Sequence, residues 1–301
     1  MATFAAALPA LAQTTRDAGP FKICVFSKHF QWTNWQETAD LAALIGFDGI
    51  DFTVRKGGHI LPENVERDLP KAVEIAHKAG LQTPMVTAGI VDVTSPHAEA
   101  ILRTLKGVGI QHYRWDGFTY DYSKSIAGQL NALKPRVKAL AELNEKYGVA
   151  AMYHTHSGLK RVGASIWDLW EVMRDLDPRW VGVNYDIGHA TVEGGFGGWV
   201  NSAHLMGKYM RGVALKDFFW EKDAKGLWVP QWCAAGKGMV NFAGFFDILK
   251  TTGFAGPVQL HFEYPELGQA YDGKTKLDIP KDRFISIMRR DLAYVKGVYA
   301  G

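Results

Sequence analysis

The sequence predicts an α/β protein folded as a single (β/α)8 barrel. Eight short apolar runs alternate with eight longer amphipathic stretches, no linker interrupts them, and 301 residues accommodate a barrel of about 250 plus a short leading segment. The strands are expected at 21–27, 49–54, 83–87, 112–115, 150–154, 181–185, 212–215 and 258–262, and the helices at 35–45, 69–79, 97–108, 126–147, 166–176, 198–210, 242–251 and 282–298. Several helices end in a glycine before the next apolar run, as in Gly46-Phe47-Asp48, Ala79-Gly80, Gly107-Val108-Gly109, Tyr147-Gly148 and Gly253-Phe254. Glycine accepts the left-handed conformation that closes a helix without a Cβ clash. Right-handed crossovers then close the parallel sheet with its helices outside. A doubly wound open sheet is the alternative, but the first strand lacks the Gly-x-Gly-x-x-Gly turn of a dinucleotide fold.

Composition narrows the partners. Apolar residues make up 47 % of the chain, ample for a large core, and the net charge is only +3. Lys and Arg are scattered rather than striped, which argues against nucleic acid. Cys24 and Cys233 form neither a metal-ligand spacing nor a disulfide framework. Ten Trp supply faces that can stack on sugar rings. Residues 21–301 form the barrel domain. Residues 1–20 are set apart, since Ala2 to Gln13 is small and apolar and ends in Ala-Leu-Ala before Gln13, like the apolar region and cleavage site of a secretory signal without its positive start. That predicts a periplasmic or secreted mature chain; the alternative is a cytoplasmic protein with an Ala-rich tail. No run reaches the roughly 18 apolar residues of a membrane span.

Side chains alternate along a strand, so one parity of each strand faces the barrel interior. Fixing the parity by the last polar residue sends His154 and His156 inward from the fifth strand and Asn184 and Asp186 from the sixth. Ala214 and Lys216 follow from the seventh, and Gln259, His261 and Glu263 from the eighth. Lys28, Asp51, Arg55 and Arg114 join them from the first half. One such residue alone is as readily a helix cap or a hydrogen-bonded core histidine. Convergence of several charges in one low-dielectric mouth is costly unless they are paired or hold a cation, and barrel enzymes place their chemistry at this end.

The motifs Tyr153-His154-Thr155-His156-Ser157-Gly158, Asp186-Ile187-Gly188-His189, Leu215-Lys216-Asp217, Gly236-Lys237-Gly238 and Glu263-Tyr264-x-Glu266 resemble the xylose isomerase-like barrel family. Gly46-Phe47-Asp48-Gly49-Ile50-Asp51 matches its second-strand motif, and the likeness runs from about Phe21 to the C-terminus. The resemblance implies one divalent cation and a sugar substrate. Two of the family's four ligands carry over, Asp186 and Glu263; the first glutamate position holds His154, and the histidine position holds Ala214. The implied metal set is therefore His154, Asp186 and Glu263, favouring Mn²⁺, Co²⁺ or Zn²⁺ over Mg²⁺ because an imidazole replaces an anion. The chain resembles exported sugar phosphate isomerase/epimerase proteins, a divergent branch.

From these residues we expect Lys216, His189 and His156 to carry catalysis. Lys28, His29, Arg55, Arg114, Trp115 and Trp220 are expected to bind substrate. The expected reaction is isomerisation or epimerisation of a keto-sugar by proton abstraction next to its carbonyl, with metal assistance. The same site could run β-elimination on a keto-glycoside, and His154 with Ala214 leaves open a metal-free sugar-binding pseudoenzyme. A carbohydrate partner and a possible homo-oligomer complete the expectations.

Overall fold

A computed structural model describes residues 21–300; the signal-like segment read at 1–20 lies outside them. Eight parallel strands close in the order β1-β10-β7-β6-β5-β4-β3-β2, the predicted barrel, and β8 and β9 form a separate antiparallel hairpin. The strands are β1 Ile23–Phe26, β2 Gly49–Val54, β3 Met85–Ala88, β4 His112–Trp115, β5 Ala150–His154, β6 Val181–Asp186, β7 Met210–Leu215, β8 Asp217–Lys222, β9 Trp228–Cys233 and β10 Val258–Leu260. The helices are α1 Trp35–Ile45, α2 Val65–Lys78, α3 Ala98–Gly107, α4 Ile126–Tyr147, α5 Trp167–Met173, α6 Ile187–Gly194, α7 Gly198–Met206, α8 Phe242–Thr251 and α9 Lys281–Ala300. Asn34, Ser125 and Asn241 cap α1, α4 and α8 by accepting the backbone N–H three residues on. Gly46 (φ 103°) and Gly148 (φ 66°) end α1 and α4 in the left-handed conformation, as the sequence predicts.

Several expected boundaries move by a few residues, two of them for a plain local reason. The third strand starts at Met85 rather than 83, since Pro84 has no N–H to give the ladder. Helix α2 begins at Val65, ahead of Pro70, with Glu66 and Asp68 favouring its positive end. The outward parity of the strands makes the helix-facing core: Tyr153 stacks on Phe118, and Tyr185 stacks on Phe245 and bonds Trp199 and Ser202 of α7. The inward parity is polar. Asn184 of β6 donates to Gln259 of β10 (2.6 Å), and Gln259 donates to Asp51 of β2, which Thr87 of β3 also contacts (2.7 Å). This crosswise rib floors the mouth above it. No described helix is long and apolar enough to cross a membrane.

Two further histidines, His59 on the loop after β2 and His112 at the start of β4, give the fold a pH dependence. Burial lowers His59 from the ordinary 6.5 to about 4, and burial with the nearby Arg211 charge does the same to His112. Both folded values lie below the unfolded one, so this stabilisation is complete above about pH 6.5 and lost as pH falls through about 4. Urea midpoints should fall across that window, and fall less in a His59→Gln, His112→Asn double variant; an equally steep decline in the double variant would contradict this assignment.

Candidate active site

Lys216 is the single residue between β7 and β8, at the C-terminal end of the barrel. Its ammonium contacts Glu263 Oε2 (2.8 Å), Asp186 Oδ2 (3.4 Å) and His189 Nε2 (2.6 Å). Trp232 of β9 covers it, 4.2 Å from ammonium to ring centroid. Gly188 permits this approach, since a Cβ there would stand 2.8 Å from the Lys216 Cγ. An ammonium has no lone pair, so His189 Nε2 accepts from it and His189 Nδ1 donates to Ser157 Oγ at 2.7 Å. This tautomer places two hydrogen bonds in series, Lys216 to His189 and His189 to Ser157. Burial and the Lys216 charge keep His189 neutral, its pKa well below the ordinary value. Glu263 binds two cations, Lys216 and, through Oε1, Lys28 at 3.0 Å. Burial works to raise its pKa, but the Lys216 charge, with His261 and Lys28, holds it well below the usual carboxylate range.

Beside this cluster His154, Asp186 and His261 present one ligand atom each, all within 4.8 Å of one another. His154 Nε2 is 3.5 Å and His261 Nδ1 4.0 Å from Asp186 Oδ2. Asp186 Oδ2 and both ring nitrogens of His261 are buried without a hydrogen-bond partner. Burial holds both imidazoles well below their ordinary pKa, so they are neutral donors, and it lifts Asp186 to about 6 against the pull of Lys216. Asp186 Oδ1 is also the cap of α6, accepting from His189 N–H at 3.0 Å. A second group, His154, His156 and His189, is equally compact.

The sequence expectations divide on inspection. Lys28, Lys216, His189, Asp186 and Glu263 come together as described. Arg114 Nη2 lies 3.4 Å from His156 Nε2, and both Arg114 and Arg55 stand over the Phe26 ring at 5.3 and 5.7 Å. Glu263 is not part of the compact ligand group: the two lysines hold its carboxylate, and His261, two residues earlier and of the same parity, supplies the third donor. His261 lies beyond Gln259, the register partner of Ala214, so it brings an imidazole next to the position left without one. Two substrate-binding expectations, His29 and Trp115, are corrected. His29 is fully buried, with Nε2 accepting from Phe262 N–H (3.1 Å) and Nδ1 donating to the Ala270 carbonyl (3.2 Å), a structural histidine. Trp115 has the parity opposite to Arg114 and packs outward on Tyr153 and Phe118, its indole N–H on the Val91 carbonyl. Trp220 stands on the hairpin, lining a groove beside the mouth. Trp232, His261 and Ser157 were not among the expected site residues. Alternating aromatics on both sides of Asp223-Ala224-Lys225-Gly226 signal the hairpin that carries Trp232.

The next residue, Asp217, ties the following loop to the barrel. Its carboxylate accepts from the backbone N–H groups of Phe218, Gly236, Gly238 and Val240 at 2.9–3.1 Å. Replacing Asp217 with Asn turns one acceptor oxygen into a donor facing these N–H groups and should cost about 2–4 kcal/mol, read by urea unfolding. A loss below about 0.5 kcal/mol would show that the loop stands without it.

The family described as xylose isomerase-like TIM barrel matches residues 39–278. No curated protein sequence matches the chain. Among solved structures, the chain is similar to an IolI protein with a bound zinc atom (16 % identity, TM-score 0.71, covering 93 % of this chain and 99 % of that one). It is also similar to a D-psicose 3-epimerase with D-fructose (13 %, 0.65, 93 % and 100 %) and to the 3-keto-D-glucoside 4-epimerase YcjR of E. coli (16 %, 0.64, 92 % and 99 %). At these identities the likeness is one of fold.

Proposed function

Because the chain belongs to the xylose isomerase-like TIM barrel family, we propose that it is a keto-sugar isomerase or epimerase that removes a proton from the carbon next to a ketone. The observation that carries this reading is Lys216, buried, with its nitrogen on His189, Glu263 and Asp186 at once. Passing one proton to His189 Nε2 leaves Lys216 an amine able to take the α-hydrogen. The α-hydrogen makes it an ammonium again, which delivers that proton to carbon or oxygen, and His189 then returns its own proton to the amine. Glu263 orients Lys216 and Lys28, and the Lys28 and Arg114 cations would serve the oxygen on which negative charge develops. Trp232 keeps water from one side of the Lys216 nitrogen. The enzymatic fate after deprotonation, whether isomerisation, epimerisation or loss of a leaving group at the next carbon, depends on which substrate atom receives the proton.

His154, Asp186 and His261 fit a divalent cation, since they bring three ligand atoms within 4.8 Å of one another and Asp186 Oδ2 and both His261 nitrogens are buried without a hydrogen-bond partner. Two imidazoles and one carboxylate suit Zn²⁺, Co²⁺ or Mn²⁺ better than Mg²⁺, which prefers oxygen ligands. Such an ion would polarise the ketone as a Lewis acid. The epimerase names among the solved structures of this fold support the reaction class.

The test is solvent exchange. In D₂O, purified protein offered 3-keto-glucosides and common ketoses, with and without Zn²⁺ or Co²⁺, should place deuterium on the carbon next to the ketone, seen by NMR. Absence of deuterium in every substrate would sink the proposal.

A further inference from the structure

We propose that the groove beside the mouth holds the second ring of a glycoside, so that the substrate is a two-ring compound rather than a free monosaccharide. This rests on the keto-sugar reading of the mouth. The groove, about 690 Å³, is built from the loops after β4 and β5, from α6 and from the hairpin after β7. It therefore lies on the face where the barrel's chemistry converges. Its walls carry Tyr122, Trp220 and Trp228, which are 58 %, 38 % and 63 % exposed. Wide aromatic faces left in water on one concavity suit a ligand with an apolar ring face.

Two of the three aromatics are held in place before any ligand arrives. The Tyr122 hydroxyl accepts from Lys160 N–H at 2.9 Å, and the Lys160 ammonium stands 5.6 Å from its ring centroid. Lys160 adopts φ 62°, a conformation uncommon for a non-glycine residue, to make this contact. Trp228 pairs with Lys222 across the hairpin, whose ammonium lies 5.4 Å from its ring centroid. Fixed side chains lose little freedom on binding.

Continuity with the mouth argues for a substrate ring as occupant. Ser157 lines the groove and also bonds His189, whose other nitrogen bonds Lys216. A sugar with its reacting carbon at Lys216 would direct its glycosidic substituent past Ser157 toward Trp220 and Trp228. The shared chemistry is a ring with an apolar face, which either a second sugar or an aryl group provides.

The test measures binding to the full chain by calorimetry with methyl β-D-glucoside, cellobiose and phenyl β-D-glucoside. One or both two-ring probes should bind about tenfold more tightly than the methyl glucoside, and Trp228→Ala should remove that advantage while Trp228→Phe keeps most of it. Tighter cellobiose indicates a sugar, tighter phenyl glucoside an aryl group. Equal affinity for all three, or an advantage untouched by Trp228→Ala in a protein with unchanged far-UV dichroism, overturns the proposal. Ring-selective binding without deuterium exchange would support the groove and sink the keto-sugar reading, whereas exchange without ring selectivity would sink the groove alone.

Discussion

Lys216→Met should abolish deuterium exchange, lowering kcat/KM by about 10³-fold or more, because it removes the nitrogen that takes the proton. The same change strips the cation from a buried carboxylate pair. Asp186 lies 3.4 Å and Glu263 2.8 Å from the Lys216 nitrogen. Removing one partner of a buried ion pair typically costs about 3–5 kcal/mol, because the remaining charge is stranded. Activity and stability therefore fall together in this variant, and a second one separates them. Lys216→Arg retains a cation for the carboxylates but cannot become a neutral base at working pH. It should recover part of the urea midpoint and none of the exchange. Exchange within tenfold of wild type in Lys216→Met would place the base elsewhere.

The second large effect concerns metal. One equivalent of Zn²⁺ or Co²⁺ should bind the full chain and raise its melting temperature, with about 2.7 kcal/mol of stabilisation when free metal stands a hundredfold above its dissociation constant. His261→Ala and Asp186→Ala should each abolish that rise. Glu263→Gln should keep the metal and lose turnover, because Glu263 serves the lysines rather than the His154–Asp186–His261 group. Loss of metal in Glu263→Gln with retention in His261→Ala would restore Glu263 as the ligand. No metal-dependent shift in the wild type would favour a metal-free barrel.

The barrel was legible because a period of two and a period near 3.6 alternate cleanly, with glycines at the joints. The converging strand ends followed from parity, which needs no tertiary information. What parity cannot supply is reach. His261 and Glu263 share a face, and only the positions of Lys28 and Lys216 determine which of the two stands beside Asp186. Trp115 illustrates the opposite case: its parity already sets it against Arg114 and places it under the helices. His29 follows the strand in a 3₁₀ turn, where alternation ceases to apply. Helix α6 escaped detection because Asp186 ends β6 and caps α6, leaving no loop between them to mark its start. The hairpin is absent from the expected strands because a single residue separates β8 from β7 and so conceals where the parallel ladder stops.

That one-residue junction makes the hairpin a detachable fitting. Its strands pair only with each other among the described residues, and its tip at Asp223–Gly226 is joined by a local turn. Lengthening or exchanging the tip leaves all eight barrel registers as they are. Relatives of this barrel can thus diverge in what they accept by trading one ribbon, and an engineer can retarget the scaffold by grafting at the same place.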